Sequence, residues 1–209
     1  MKIIDRIKNI GQKIKKAKLE NREPFGSEEH NWKMQTKIDK KELQTIESLY
    51  SIILPQEYRS FLLTLGNGGA GPAYGMYSLQ SGIAHLRKPT ERDCLVTEFR
   101  HLDYYNPFED PSLRLSLEKL LDNGKITNEY NQMLERTTYG TLVVGHEGCG
   151  YMHRLVITGP RRGTVWIDSS CSDQGYIPLN VSFLDWYELW IDDVLLGNDG
   201  TWWLQLTNC

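Results

Sequence analysis

The chain of 209 residues has no run approaching the ~18 consecutive apolar residues that a membrane span needs. Its opening stretch, MKIIDRIKNIGQKIKKAK, breaks its apolar residues with charges and so offers no signal-peptide core. Both absences predict a cytoplasmic protein. Cysteine is scarce: the 4 present (Cys94, Cys149, Cys171 and Cys209) are widely spaced, form no CxxC pair, and sit in a chain too long to need staples, which predicts free thiols. The fingerprints GxSxG, HExxH, GxGxxG and GxxxxGK[ST] do not occur. Positive charge is thin over most of the length. Residues 42–209 hold 12 Lys/Arg against 21 Asp/Glu, whereas residues 1–41 hold 12 against 6. An acidic body repels phosphate backbones, which argues against direct nucleic-acid binding and favours a basic protein partner.

What is present is ordinary globular material, 40% apolar and 11% aromatic, of a length for one domain with additions or two small ones. Ile3, Ile7, Ile10, Ile14 and Ala17 recur at spacings of 4, 3, 4 and 3 among lysines, which predicts a basic amphipathic helix. Such a helix can meet an anionic membrane surface or a partner helix; the plainer expectation is that it docks on its own body or on a second copy. Residues 20–38, aperiodic and holding Pro24 and Gly26, read as a linker. Asp39 with Glu42 resembles a capping box ahead of a short helix carrying Leu43, Ile46 and Leu49.

Pro55 opens the clearest helix, in which Tyr58, Phe61, Leu62 and Leu65 fall at i, i+3, i+4 and i+7, and Gly66 ends it. The glycine-rich loop that follows lies at a helix C-terminus, whose carbonyls repel anions, so it is not a phosphate cradle. Tyr74 to Leu79 reads as a short strand. A Pro/aromatic stretch from Tyr104 to Pro111 precedes a leucine-spaced helix. From Gly140 the period becomes two, predicting strands at Thr141–Val144, Met152–Thr158 and Thr164–Asp168, the last two forming a hairpin. Ser182 with Asp185 caps a final helix whose inner face carries Phe183, Trp186, Tyr187, Trp190, Ile191 and Val194, and Gly197 closes it.

His146, Glu147, Cys149 and His153 lie within eight residues and are all metal-ligand types. Gly145, Gly148 and Gly150 make the segment a turn with surface histidines, and no second ligand pair lies nearby in sequence. No metal and no cofactor are expected, and no catalytic residue is assigned. Cys149 with His146 imitates a nucleophile and base without the surroundings of any cysteine hydrolase.

Five pieces in order, Leu54-Pro55-Gln56-Glu57-Tyr58 running to Phe61-Leu62, Gly66-Asn67-Gly68-Gly69, Gly140-Thr141-Leu142, Gly163-Thr164-Val165-Trp166-Ile167-Asp168 and Ser182-Phe183-Leu184-Asp185-Trp186, together resemble the SUKH superfamily. The nearest branch is typified by the fungal glucan-synthesis regulator Smi/Knr and its bacterial relatives. The resemblance spans about residues 40–197 and leaves the leader and an insert near residues 100–135 outside it. It implies an α+β domain, an antiparallel sheet with helices packed on it, and no catalysis. The expected organisation is a leader over residues 1–38, the SUKH-like domain over 39–197 and a tail over 198–209.

Bacterial members of that family are mostly immunity proteins that neutralise a cognate toxin, often a nuclease or deaminase; fungal members are signalling scaffolds. The acidic body favours the former, with a regulatory scaffold as the alternative. Aromatics flanked by acids suit a hot spot facing a basic groove. The expected partner-binding residues are Tyr74 and Tyr77 beside the glycine loop, Tyr104, Tyr105, Phe108, Glu109 and Asp110 in the insert, and Asp168 and Asp173 after the hairpin. Glu109, Asp110, Asp168 and Asp173 are expected to stand where the toxin holds phosphates.

Overall fold

The computed structural model describes residues 2–86, 93–122 and 128–207. In chain order the helices are α1 (Ile3–Leu19), α2 (Ser27–His30), α3 (Lys40–Tyr50), α4 (Gln56–Thr64), α5 (Leu79–Ala84), α6 (Asp93–Val96), α7 (Pro111–Asp122), α8 (Asn128–Arg136), α9 (Phe183–Leu195) and α10 (Leu204–Thr207). The strands β1 (Thr141–Gly148), β2 (Tyr151–Val156), β3 (Thr164–Asp168) and β4 (Tyr176–Ser182) form one antiparallel sheet in the order β1-β2-β3-β4. The protein is α+β, as the sequence predicts. Among the described residues no helix is long and apolar enough to cross a membrane.

Alternation along the strands sorts the sheet into two faces. Leu142, Val144, Leu155, Val165, Ile167 and Leu179 enter the main core with the apolar stripe of α9. Val156, Trp166 and Tyr176 point the other way, into a smaller cluster with Phe99. Trp166 therefore anchors the β2–β3 hairpin on the face away from the main core.

The isoleucine stripe decides where α1 goes. Ile7, Ile10, Ile14 and Ala17 are buried against α9 and α4, so the leader docks on its own body. Charge fixes the register. Arg6 donates from Nε to Glu188 at 3.1 Å and from Nη2 to Asp185 at 2.5 Å and Glu188 at 2.7 Å, and Lys13 donates to Asp192 at 2.7 Å. Residues 20–38, read from sequence as a linker, are stitched to the body. Gln35 N–H donates to Gly68, Ala70 N–H to Lys33 and Ile38 N–H to Leu62, while Trp32 stacks on Trp190 at 5.6 Å. Gly69 (φ +105°) sits in this seam because a Cβ there would lie 2.3 Å from the Lys33 carbonyl oxygen.

Tyr74 to Leu79 does not form a strand. Only Met76 bridges, to Gly69 and to Gly145, after which Ser78 caps α5 through the Ser81 N–H. The loop is held by main-chain bonds from glycines on either side, which leaves no room for an extended ladder. Conversely, β4 was not expected. It contains Pro178 and Asn180, poor strand residues, and the sheet tolerates them because β4 is an edge.

A candidate protein-binding face

The loop after α4, strand β1 and the end of α5 bring four rings into a column. Tyr74 stacks on His146 (5.1 Å, 16°), His146 on Tyr77 (5.3 Å, 15°) and Tyr77 on His85 (4.3 Å, 19°). Phe25, 43% exposed, meets Tyr74 edge-on at 5.2 Å. The column is positioned by backbone: Tyr77 N–H donates to the Val144 carbonyl, and Met76 bridges Gly145, the residue before His146. Burial pushes the Tyr77 phenol up. Burial, then the neighbouring His85 and His153, push His146 down, so its ring is neutral at pH 7. Its Nδ1 accepts the Gly148 N–H at 3.3 Å, which leaves the ring proton on Nε2. The face thus presents flat aromatic surface of the kind that anchors interfaces.

Beside Phe25 the column adjoins a cleft of about 390 Å³ at the turn between β1 and β2. Phe25, Tyr151, Ile167 and Leu204 form apolar walls, Glu147, Ser169 and Asp199 contribute polar groups, and among the described residues no lysine or arginine lines it. Below Glu147 lies His153. The sequence reading made His153 a surface residue; it is fully buried, wedged edge-on against Trp186 (5.1 Å) and Trp203 (5.0 Å). Alternation along β2 explains the correction, since His153 shares the inward face with Leu155. Its Nε2 lies 2.7 Å from Glu147 Oε1. Burial pushes the Glu147 carboxyl up, but His153 and Trp203 together hold it below its ordinary value, so it stays a carboxylate. Ser169 is 1% exposed, and its Oγ has no hydrogen-bond partner.

The expected partner-binding residues divide into two groups. Tyr74 and Tyr77 belong to the column. The insert group lies beyond a smaller cavity of about 130 Å³ that both His85 and Tyr176 line. There Tyr105 pairs with Tyr176 through reciprocal main-chain bonds, and its ring stacks on His101 at 3.9 Å. Its hydroxyl donates to Asp110 at 3.0 Å. Asp110 also accepts the Ser112 hydroxyl and the Ser112 and Leu113 N–H groups, which cap α7 and hold its carboxyl below the usual range. Phe108 is half-buried, Tyr104, Glu109 and Asp173 are exposed, and Asn106 ties the insert to the Asp173 carbonyl at 2.7 Å.

Asp168 is not an exposed position. It is 5% exposed, accepts from Arg154 Nε at 2.7 Å and caps Ser170 through Oδ1. Its charge already has a partner within the fold, as does the Asp110 carboxylate through its hydrogen bonds. Of the four carboxylates singled out in the sequence, Glu109 and Asp173 are the exposed ones.

Sequence reasoning missed His146 as a ring in the column, because its spacing to Cys149 and His153 suggested metal ligands. Phe25, Ser169 and Asp199 carried no motif and meet only in three dimensions. Among the described residues no group of three or more His, Cys, Asp or Glu side chains is placed to hold a metal ion. No family model, no curated protein and no solved structure matches the chain.

Proposed function

We propose that this chain is a non-enzymatic protein-binding domain of the SUKH, Smi/Knr-like kind, which binds and neutralises a basic toxin in the manner of bacterial immunity proteins. The observation that carries this reading is the column Tyr74–His146–Tyr77–His85 flanked by acids without a cationic partner. Glu28 and Glu29 are exposed on α2 next to Phe25, and Asp199 lies at the mouth of the cleft. A nuclease or deaminase grips phosphates with basic residues, and such a surface is drawn to acids around an aromatic centre.

The docked leader refines the charge argument. Arg6 and Lys13 offset part of the charge of Asp185, Glu188 and Asp192, so more of the long-range field of the body comes from the acids elsewhere. The test is co-expression of the full chain with the toxic domain encoded beside it, followed by binding kinetics. Protection is expected, with association slowing between low and physiological salt as charges beyond ~8–10 Å are screened. Tyr77→Ala should speed dissociation at least about tenfold, equivalent to roughly 1.4 kcal/mol, the scale of an aromatic hot spot. A chain that neither protects nor binds that domain overturns the reading.

A further inference from the structure

We propose that the cleft between the β1–β2 turn and α10 is the socket for a single arginine side chain of the protein partner. The inference deepens the proposed function and rests on it for the basic character of that partner.

Four features of the cleft converge on this chemistry. Its walls, Phe25, Tyr151, Ile167 and Leu204, are half aliphatic and half aromatic, suited to the aliphatic stem and the flat face of a guanidinium. Its volume of about 390 Å³ falls in the ~300–1,000 Å³ range of small-ligand pockets, ample for one long side chain. Two carboxylates, Glu147, which contacts His153, and Asp199, line it, and among the described residues no lysine or arginine does, so the lining favours a cation.

The fourth feature is Ser169. It lines the cleft, and its buried Oγ has no hydrogen-bond partner among the described residues, an unfavourable arrangement unless a ligand supplies one. Hydroxyl and carboxylate acceptors of different direction match the forked donors of arginine better than the compact ammonium of lysine. The two carboxylates can only accept hydrogen bonds, and the rest of the wall is largely apolar. An anion would face like charge, and an uncharged apolar side chain would leave the Ser169 hydroxyl desolvated without compensation.

The probe is N-acetyl-arginine amide, titrated into the full-length isotope-labelled protein, with the citrulline analogue as its uncharged isostere. Saturable shifts of the Ser169, Tyr151 and Glu147 amide signals are expected with arginine, at millimolar affinity, and at least about tenfold weaker binding with citrulline. Ser169→Ala and Asp199→Asn should each weaken the arginine response severalfold while the remaining spectrum stays that of the folded protein. Equal response to both probes, or no saturable response to arginine, overturns the socket.

The same variants in the toxin assay separate this inference from the one it rests on. If the chain protects and binds but Ser169→Ala and Asp199→Asn leave the dissociation rate unchanged, the socket falls and the immunity reading stands. If arginine binds as expected but the neighbouring toxic domain does not, the partner is misassigned and the cation chemistry of the cleft stands.

Discussion

His30 shows how much can depend on one ring. It sits between Trp32 and Trp190, at 5.4 and 6.0 Å, and its Nδ1 accepts the Trp32 N–H at 3.1 Å. Burial pushes it down to about 4 from 6.5, and nearby Glu28 recovers only part of that. The folded state therefore stays unprotonated where the unfolded chain takes up a proton. Stability is unaffected by this group above about pH 6.5 and falls progressively as the pH drops from there to about 4, by up to about 3 kcal/mol. His30→Asn keeps an acceptor for Trp32 and removes the titration. Denaturant midpoints measured from pH 7.5 to 4.5 should decline less steeply for the variant than for the parent, and parallel slopes would show that another group governs this range. Nothing in the sequence marked His30, because its neighbours arrive from residue 190 as well as from residue 32. The burial of His153 was invisible for the same reason, Trp186 and Trp203 being remote in sequence.

At the scale of elements, legibility followed locality. Helices α4 and α9 could be read because period and caps lie within them; Ser182 Oγ accepts the Asp185 N–H as the pattern foretold. Asp39 caps α3 through the Lys41 and Glu42 N–H groups, but Glu42 does not complete the box, since its carboxylate accepts instead from Gln80. The failures, the absent strand near Met76 and the unforeseen β4, are segments whose partners come from elsewhere in the chain. The docking of α1 depends on both kinds of information, a local stripe and a distant acid cluster. Arg6, with its side chain 18% exposed, faces Glu57, Asp185 and Glu188. Arg6→Met should cost about 2 kcal/mol, between an exposed pair and a fully buried one, because three carboxylates then face one another without a cation. For a chain of this size that lowers Tm by roughly 4–8 °C. The deficit should shrink in high salt, and a salt-independent deficit would point to lost packing instead. Arg6→Lys should recover part of the loss but not the forked contact with Asp185 and Glu188.

For the whole molecule, the question is whether the leader is an appendage or a component of the core. Ile7 and Ile10 are fully buried and Ile14 is 4% exposed. At about 1.5–3 kcal/mol for each such side chain, α1 contributes an amount comparable to the ~5–15 kcal/mol that holds an average domain together. A chain lacking residues 1–19 should therefore lose near-ultraviolet circular dichroism and bind a hydrophobic dye, and a synthetic peptide of those residues should restore the signal. A truncated chain with native spectra and an unchanged Tm would make the leader an independent module. The hairpin and its neighbouring strand could be read from the period change at Gly140, whereas the sheet with its helical layer was an expectation carried by the resemblance. The face that carries Phe25, the column and the cleft was not, because it is assembled from five separate stretches of chain.

The pairing of α1 with α9 also places a demand on synthesis. Arg6 and Glu188 are 182 residues apart, so at about 5–20 residues per second the ribosome needs roughly 10–35 s to deliver the surface that α1 requires. Throughout that interval a positively charged helix with a bare isoleucine stripe is in the company of polyanionic ribosomal RNA and other nascent chains. The last long helix to emerge is the one that covers the first. Protease protection of α1 in stalled nascent chains should accordingly appear only at lengths that release α9 from the exit tunnel, and slowing translation should extend the period in which the leader is available to chaperones.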